Sequence, residues 1–100
     1  MSAEDLERYE AELEMQLFRE YKDVVKTYTH IVETERRFYL ANGVSLEPRN
    51  DGGGRTWFEL LLTDAWVWDI YRPGPARFVA KVRVLTFKDV NIEQLAQPED

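Results

Sequence analysis

The sequence predicts an α+β fold: a long N-terminal helix packed on a four-stranded antiparallel meander sheet, with a short C-terminal helix. Apolar residues recur every three or four positions over the first forty residues, as in an amphipathic helix. Residues 56–91 instead hold all three tryptophans and most of the later β-branched and aromatic residues, which favours strands. We therefore expect one domain, with helix over 3–41, sheet over 44–87, and a short helix with an acidic tail over 88–100.

The helix is indicated by a single apolar stripe, for which Ser2 is a candidate N-cap. No glycine or proline interrupts the chain before Gly43, and Asn42-Gly43 can adopt the left-handed conformation that ends a helix. The β-branched residues between 24 and 34 lower helix propensity, so a kink is allowed near 26–30. The alternative is that residues 28–40 form a first strand. The stripe consists of Leu6, Tyr9, Leu13, Leu17, Tyr21, Val24, Tyr28 and Ile31.

Turn residues divide the second half of the chain into four expected strands. The first is a short edge strand over 44–48 that Pro48 closes. Residues 50–54 follow as a glycine-rich hairpin loop, and the absence of a Gly-Lys-Ser/Thr ending argues against a phosphate-binding loop. Thr63-Asp64 and Pro73-Gly74-Pro75 are the next expected turns, because proline fixes φ and cannot donate to a strand ladder. The later strands are then 56–62, 65–72 and 77–87.

Alternation along these strands separates two faces of the expected sheet. One face is apolar and should form the core. The other mixes charges with bulky apolar groups, and an unpaired apolar patch of that size usually marks an interface. The core face carries Phe58, Leu60, Leu62, Trp66, Trp68, Ile70, Phe78, Ala80, Val82 and Val84, and the apolar members of the mixed face are Trp57, Leu61, Val67, Tyr71, Val79 and Leu85.

The last segment, 88–100, is expected to contain one or two helical turns over 92–96. Asp89 or Asn91 would cap this helix, and Pro98 would end it. The final twelve residues carry four acids and no base, so the helix would run into an acidic tail.

Composition excludes several classes of protein. The chain has no cysteine, which excludes a disulfide framework and thiolate metal sites. No apolar run approaches the roughly 20 residues that span a bilayer, and the acidic N-terminus does not resemble a secretory signal, so we expect a cytoplasmic protein. The net charge of −6 argues against broad binding to a phosphate backbone. Residues 21–88 nevertheless carry eleven bases against eight acids, which leaves room for a local basic patch.

Catalytic and metal-binding motifs are weak. His30 is the only histidine, and the two serines, Ser2 and Ser45, lie in no nucleophile elbow, so we assign no catalytic residue, no metal ligand and no cofactor. A metal-dependent nuclease or phosphodiesterase that uses Glu59, Asp64 and Asp69 is the alternative. Against it, no Asp/Glu-x-Lys sequence occurs over 56–87. Pairing of Glu59 and Asp69 with Lys81 and Arg83 across strands is the simpler interpretation.

Arginines adjoin aromatic residues in two segments, at 36–39 and at 66–77. Such neighbours bind single-stranded nucleic acid by stacking and phosphate contact, and they also form the energetic centres of protein interfaces. The shared face of Trp66 and Trp68 favours a place in the core for these two residues.

The segments ETERRFYLANGV, DAWVWDIYRP and ARFVAKVRVLTFKDVNIEQL, with the opening MSAEDLERYEAELEMQLFREYKDVV, resemble a family of small actinobacterial proteins of unknown function, DUF2469. The resemblance covers nearly the whole chain. It implies an actinobacterial, cytoplasmic protein and carries over no activity or functional residue.

The sequence thus favours a non-enzymatic binding module that docks on a protein or ribonucleoprotein partner, with a homodimer as one form of it. A single-stranded RNA binder that uses the arginine-aromatic clusters is a further alternative, and no membrane contact is expected. The candidate interface residues are Arg36, Arg37, Trp57, Leu61, Tyr71, Arg72, Arg77 and Arg83.

Overall fold

The structure is a computed structural model that describes residues 2–97, and it shows an α+β fold with one N-terminal helix and a five-stranded antiparallel sheet. Helix α1 is followed by a 3₁₀ turn over Val25–Thr27, and a second 3₁₀ turn over Gly74–Arg77 precedes the fourth strand. The elements are α1 (Ala3–Val24), β1 (His30–Glu33), β2 (Phe38–Asn50), β3 (Thr56–Val67), β4 (Phe78–Thr86) and β5 (Asn91–Gln94). Within residues 2–97, no helix is long and apolar enough to cross a membrane.

Helix α1 begins as predicted and ends much earlier than predicted. The Ser2 hydroxyl accepts a hydrogen bond from the Asp5 amide at 3.2 Å, and acids fill the first turn, where they favour the positive end of the helix dipole. The helix stops at Val24, and the Thr27 hydroxyl donates to the Val24 carbonyl at 2.7 Å. The predicted helix over 3–41 is therefore wrong. The β-branched residues favour strand here despite the helical spacing of the apolar residues. The alternative prediction, a strand over 28–40, is closer to the structure, because β1 and the start of β2 lie there.

The strand order in the sheet is β4-β3-β2-β1-β5. The first four strands are an antiparallel meander, and β5 returns to pair with the free edge of β1. The predicted C-terminal helix over 92–96 is wrong: Ile92 lies opposite Val32 in this added strand and packs on the core, which offsets the weak strand propensity of its neighbours. The proposed acidic tail falls partly on residues 98–100, outside the described residues.

The predicted edge strand over 44–48 is the middle of a thirteen-residue strand, β2. Asn42-Gly43 does not end a helix but lies inside this strand. Pro48 is tolerated because β1 pairs with β2 only as far as Ala41, so the proline lies where β2 has a neighbour on one side only. Residues 51–55 form the predicted hairpin loop, in which the Asp51 carboxylate accepts hydrogen bonds from the Gly53 and Arg55 amides.

Strand β3 continues through Thr63-Asp64, so the predicted turn at these two residues is wrong. Asp64 has a φ of 51°, and its carboxylate accepts a hydrogen bond from the Asn42 amide group at 2.7 Å. Leu62 and Ala65 belong to one core cluster although they are three residues apart, an odd spacing that would place them on opposite faces of a regular strand. The strands therefore turn at Asp64, and we call this position the corner of the sheet.

The sheet has a core on each side. One cluster fills the concave side between β2, β3 and β4, with Val90 and Ile92 closing it from the other end of the sheet. The second cluster lies under α1, where Leu17 and Tyr21 pack on Leu40, Trp66 and Trp68. Trp66 is buried in this second cluster, so its predicted place in the core is confirmed, but the prediction that it shares one face with Leu60 and Leu62 is wrong. The buried residues of the first cluster are Val32, Tyr39, Ala41, Leu60, Leu62, Ala65 and Val67.

Candidate functional site

The main candidate site is the convex surface of β2, β3 and β4 beyond the corner of the sheet. The register aligns the side chains in three rows, and we call this surface the outer face. The rows are Ser45, Leu61 and Arg83, then Glu47, Glu59 and Leu85, then Arg49, Trp57 and Phe87. Helix α1 packs on the second core cluster, away from this surface. Three predicted site residues, Trp57, Leu61 and Arg83, lie together here.

Charges at the centre of the outer face are paired. Glu59 accepts from Arg49 Nε and from Arg83 Nε, each at 3.2 Å, and Arg49 also contacts Glu47 at 2.7 Å. Cross-strand pairing of Glu59 with Arg83 is thus confirmed, while Lys81 lies in the next row opposite Thr63. The two guanidinium groups of Arg49 and Arg83 are matched by the two carboxylates of Glu47 and Glu59, so the charges at the centre of the outer face compensate one another.

Apolar groups flank this charged centre. The Trp57 and Phe87 rings lie 5.8 Å apart, and the Arg55 guanidinium lies 5.1 Å from the centre of the Phe87 ring. Leu85 and Phe87 are each 56% exposed. A tryptophan, a phenylalanine and arginines beside exposed leucine are the composition enriched at the centre of protein interfaces.

The mixed face predicted from alternation is only partly this surface. Val67 and Val79 pack in the first core cluster, and Tyr71 lies in the loop after β3, so these three do not join the outer face. The reason is the corner at Asp64. Odd-numbered and even-numbered side chains exchange faces of the sheet there, whereas the prediction assumed one constant alternation along β3 and β4.

A second group of predicted residues lines a cavity of about 200 Å³ between the β1–β2 turn and the end of β4. Arg36, Arg37 and Arg83 contribute to its wall, with Tyr39 and the Thr86 side chain. Burial raises the pKa of the Tyr39 hydroxyl, so this group stays protonated and able to donate at neutral pH. Arg36 and Arg37 are far from Arg83 in sequence, and they meet here because the sheet curls. A local sequence pattern cannot predict such a contact.

Asp69 connects this cavity to the loop that follows β3. Its carboxylate accepts from Arg37 at 2.8 Å and lies 3.3 Å from Arg72 Nε. The hydrogen bond from Arg37 holds the pKa of Asp69 below its ordinary value, and the same bond raises the pKa of Arg37. Two predicted arginines therefore share one carboxylate, which offsets one of their two positive charges and weakens their attraction for phosphate.

The third group of predicted residues, Tyr71, Arg72 and Arg77, fixes the loop to the helix. Arg77 is paired with Glu20 of α1 and donates to the Arg72 carbonyl. Tyr71 is 70% exposed, and the pKa of its hydroxyl is raised by partial desolvation and by the nearby Glu10 carboxylate. We interpret Arg72 and Arg77 as structural contacts of the loop.

The carboxylates of the nuclease alternative do not converge. Glu59 lies on the outer face, Asp64 at the corner and Asp69 beside Arg37, each with its own basic or amide partner. Across residues 2–97, no three His, Cys, Asp or Glu side chains form a group that could hold a metal ion.

Two exposed apolar surfaces contain none of the predicted interface residues. Phe18, Tyr21, Phe38 and Trp68 line a shallow apolar pocket of about 350 Å³. The N-terminal half of α1 also stays uncovered, with Leu6 46% and Tyr9 53% exposed. The helical stripe is the sequence signal for the second of these surfaces, because Leu6 and Tyr9 belong to it.

Comparison with known proteins identifies relatives along the full length of the chain. A family described as "Protein of unknown function (DUF2469)" matches residues 1–100. Uncharacterized proteins of Mycobacterium bovis and of two Mycobacterium tuberculosis strains, CDC 1551 / Oshkosh and ATCC 25618 / H37Rv, are 65% identical over 99 residues, which is 99% of this chain and 95% of each relative. No solved structure gives a significant match.

Proposed function

This chain belongs to the DUF2469 family of proteins of unknown function, and we propose that it is a non-enzymatic module that docks on a partner protein through its outer face. The observation that carries the proposal is the exposure of Leu85 and Phe87 beside the paired arginines of β2 and β4. Isolated exposed apolar residues are ordinary on protein surfaces. Here Leu85, near the end of β4, and Phe87, just beyond that end, are close neighbours, and the Phe87 ring lies beside the Trp57 ring.

The charge pattern supports a protein partner over RNA. Arg37, Arg49, Arg72, Arg77 and Arg83 each contact a carboxylate within the chain. Binding to a phosphate backbone depends on release of counterions from unpaired Lys and Arg, so paired arginines contribute less to it. At a protein interface the same pairs supply fixed hydrogen-bonding geometry and bury little uncompensated charge.

Affinity capture from an actinobacterial lysate, with and without ribonuclease, tests this function. Leu85→Glu places a charge among the apolar groups of the outer face and should abolish recovery of the partner, because a buried unpaired charge is costly. Met15→Glu is the matched control, since Met15 is also 56% exposed but lies on α1. It should leave recovery unchanged.

Recovery that is insensitive to ribonuclease and lost only in Leu85→Glu supports the proposal. Equal recovery by both variants would remove the outer face as the docking surface. Loss of all partners on ribonuclease treatment would instead indicate an RNA-mediated association. Arg36, which forms no ion pair within residues 2–97, would then be the first candidate for the RNA contact.

A further inference from the structure

The chain exposes two apolar surfaces of opposite charge, and we propose that each covers the other across a homodimer: the N-terminal half of α1 from one copy lies on the outer face of the second copy, and reciprocally. This inference rests on the proposed function of the outer face and names its partner. It concerns α1 residues 3–16 and the three strands of the outer face.

The uncovered part of α1 has the form of a docking helix. Leu6, Tyr9 and Leu13 follow each other at steps of three and four and continue the stripe that reaches Leu17. Leu17 is buried against the sheet, whereas Leu6 and Tyr9 are about half exposed. The contacts of α1 with the core, through Leu17 and Tyr21, and its ion pair through Glu20 come from its second half, whereas in the first half Glu10 lies near the Tyr71 hydroxyl. An apolar stripe on one helical face is the usual element by which a helix binds a complementary surface.

The charges of the two surfaces are complementary. Residues 3–16 of α1 carry six carboxylates against one arginine. The outer face and its rim carry four bases, Arg49, Arg55, Lys81 and Arg83, against the three carboxylates of Glu47, Asp51 and Glu59. Pairing α1 with a second α1 would place like charges together, so the helix is expected to choose the basic face instead.

The exposed area fits a dimer of this kind. The chain exposes 7278 Å², whereas a compact monomer of its mass would expose about 5,900 Å². Its Cα radius of gyration is 16.0 Å, against about 13 Å for a compact domain of 100 residues. The excess exceeds the roughly 800 Å² per partner that a stable interface buries. Since both surfaces belong to one chain, a single two-fold axis would bury both twice.

Sedimentation equilibrium on the purified full-length chain at about 1 to 100 μM tests the proposal over the usual range of protein association. The expected mass is twice the 11.8 kDa of the monomer. Tyr9→Glu and Leu85→Glu should each weaken dimerisation at least tenfold, because both residues are about half exposed in the single copy and become buried in the dimer. Met15→Glu should remain dimeric. Circular dichroism of each variant checks that the fold is intact.

Mixing the two disruptive variants distinguishes this arrangement from the others. A Tyr9→Glu chain keeps a native outer face and a Leu85→Glu chain keeps a native α1, so one of the two contacts is restored in the mixed pair. Co-purification of differently tagged variants should therefore exceed that of either variant with itself. A pure helix–helix dimer would be insensitive to Leu85→Glu, and a pure face–face dimer would be insensitive to Tyr9→Glu.

A monomer at all concentrations, or a dimer sensitive to one variant alone, would overturn this inference. Neither result bears on the proposed function, which is judged by whether Leu85→Glu loses partners other than the chain itself in the lysate experiment. Conversely, a dimer lost in both variants together with unchanged capture of other proteins would support the inference and restrict the docking role of the outer face to self-association.

Discussion

Individual residues at the corner of the sheet decide where the convex and concave surfaces lie. Asp64 adopts a φ of 51°, which is uncommon for a residue with a side chain, and Asn42 holds its carboxylate. Asp and Asn tolerate this conformation better than most residues. The change of side at Asp64 sends Val67 and Val79 into the core and leaves Leu61 and Leu85 outside.

Gly43 is the other residue that the corner requires. A Cβ atom at this position would lie 2.0 Å from Thr63 Oγ1, so Gly43→Ala should lower the free energy of unfolding by about 1–3 kcal/mol through steric strain. In a Thr63→Ala background the clashing oxygen is absent, and the same substitution should cost clearly less. Urea unfolding of the native chain, the two single variants and the double variant measures the cost of Gly43→Ala in each background. An equal cost in both backgrounds would show that the clash is not the cause.

Asp69 should contribute a pH-dependent part of the stability. Its pKa is lowered chiefly by the hydrogen bond from Arg37, so the folded value lies below the unfolded value of about 3.9. The resulting stabilisation is present above that unfolded value and is lost as the pH falls through the folded pKa. Asp69→Asn should therefore destabilise the protein by about 1 kcal/mol at pH 6, a figure kept small because Arg37 is 42% exposed.

Urea unfolding of both proteins between pH 6 and pH 2 checks this dependence. The two stabilities should converge at the acid end of the range. Arg37→Met is the paired variant, since it removes the principal cause of the lowered pKa and should flatten the same part of the curve. A constant difference between the native chain and Asp69→Asn at every pH would contradict the argument.

Strand β5 completes the sheet at the scale of elements. Ile92 packs on the first core cluster, whereas its neighbour Glu93 is exposed. Ile92→Ala should lower the free energy of unfolding by about 1–2 kcal/mol. This is below the range for a fully buried isoleucine, because Ile92 is half-buried. Glu93→Ala should stay within about 0.5 kcal/mol. Thermal unfolding of the pair measures this, and equal effects would mean that β5 does not pack on the core.

The elements show which parts of the fold are readable from sequence. The start of α1, the hairpin loop at 51–55 and most of β4 follow from local signals: a capping serine, glycines with a side-chain-stabilised turn, and alternation. The end of α1 and the strand character of 91–94 do not. Both depend on strand pairing, because β1 lies between β2 and β5, and β5 is distant from β1 in sequence although β2 follows β1 directly.

The candidate site was predictable in composition and not in shape. Trp57, Leu61 and Arg83 were placed on one face by alternation, and the register confirms that they share it. Arg72 and Arg77 were selected for their aromatic neighbours, yet they hold a loop through Asp69 and Glu20. The exposed half of α1 was missed because an apolar stripe records only that a helix buries one face, and the surface that covers it can belong to another chain.

At the scale of the whole molecule, the distribution of charge and the extended shape both support the proposed dimer. The net charge of −6 combines two acidic ends, residues 1–20 and 89–100, with a mildly basic middle that holds most of the sheet. The chain extends over 48 × 45 × 20 Å, which leaves the first half of α1 and the outer face apart on one copy. In the proposed dimer, a second chain brings the acids of residues 3–16 next to the bases around the outer face.

If two copies pair in this way, the thermal stability of the protein must depend on its concentration, because association draws the equilibrium toward the folded state. For a dimer of two 100-residue chains, a tenfold rise in concentration should raise Tm by about 3–4 °C. Tyr9→Glu should remove this dependence without removing the cooperative transition, since Tyr9 makes no part of either core cluster. Differential scanning calorimetry at three concentrations measures both slopes. A Tm that is independent of concentration in the native chain would mean that α1 and the outer face remain uncovered in solution.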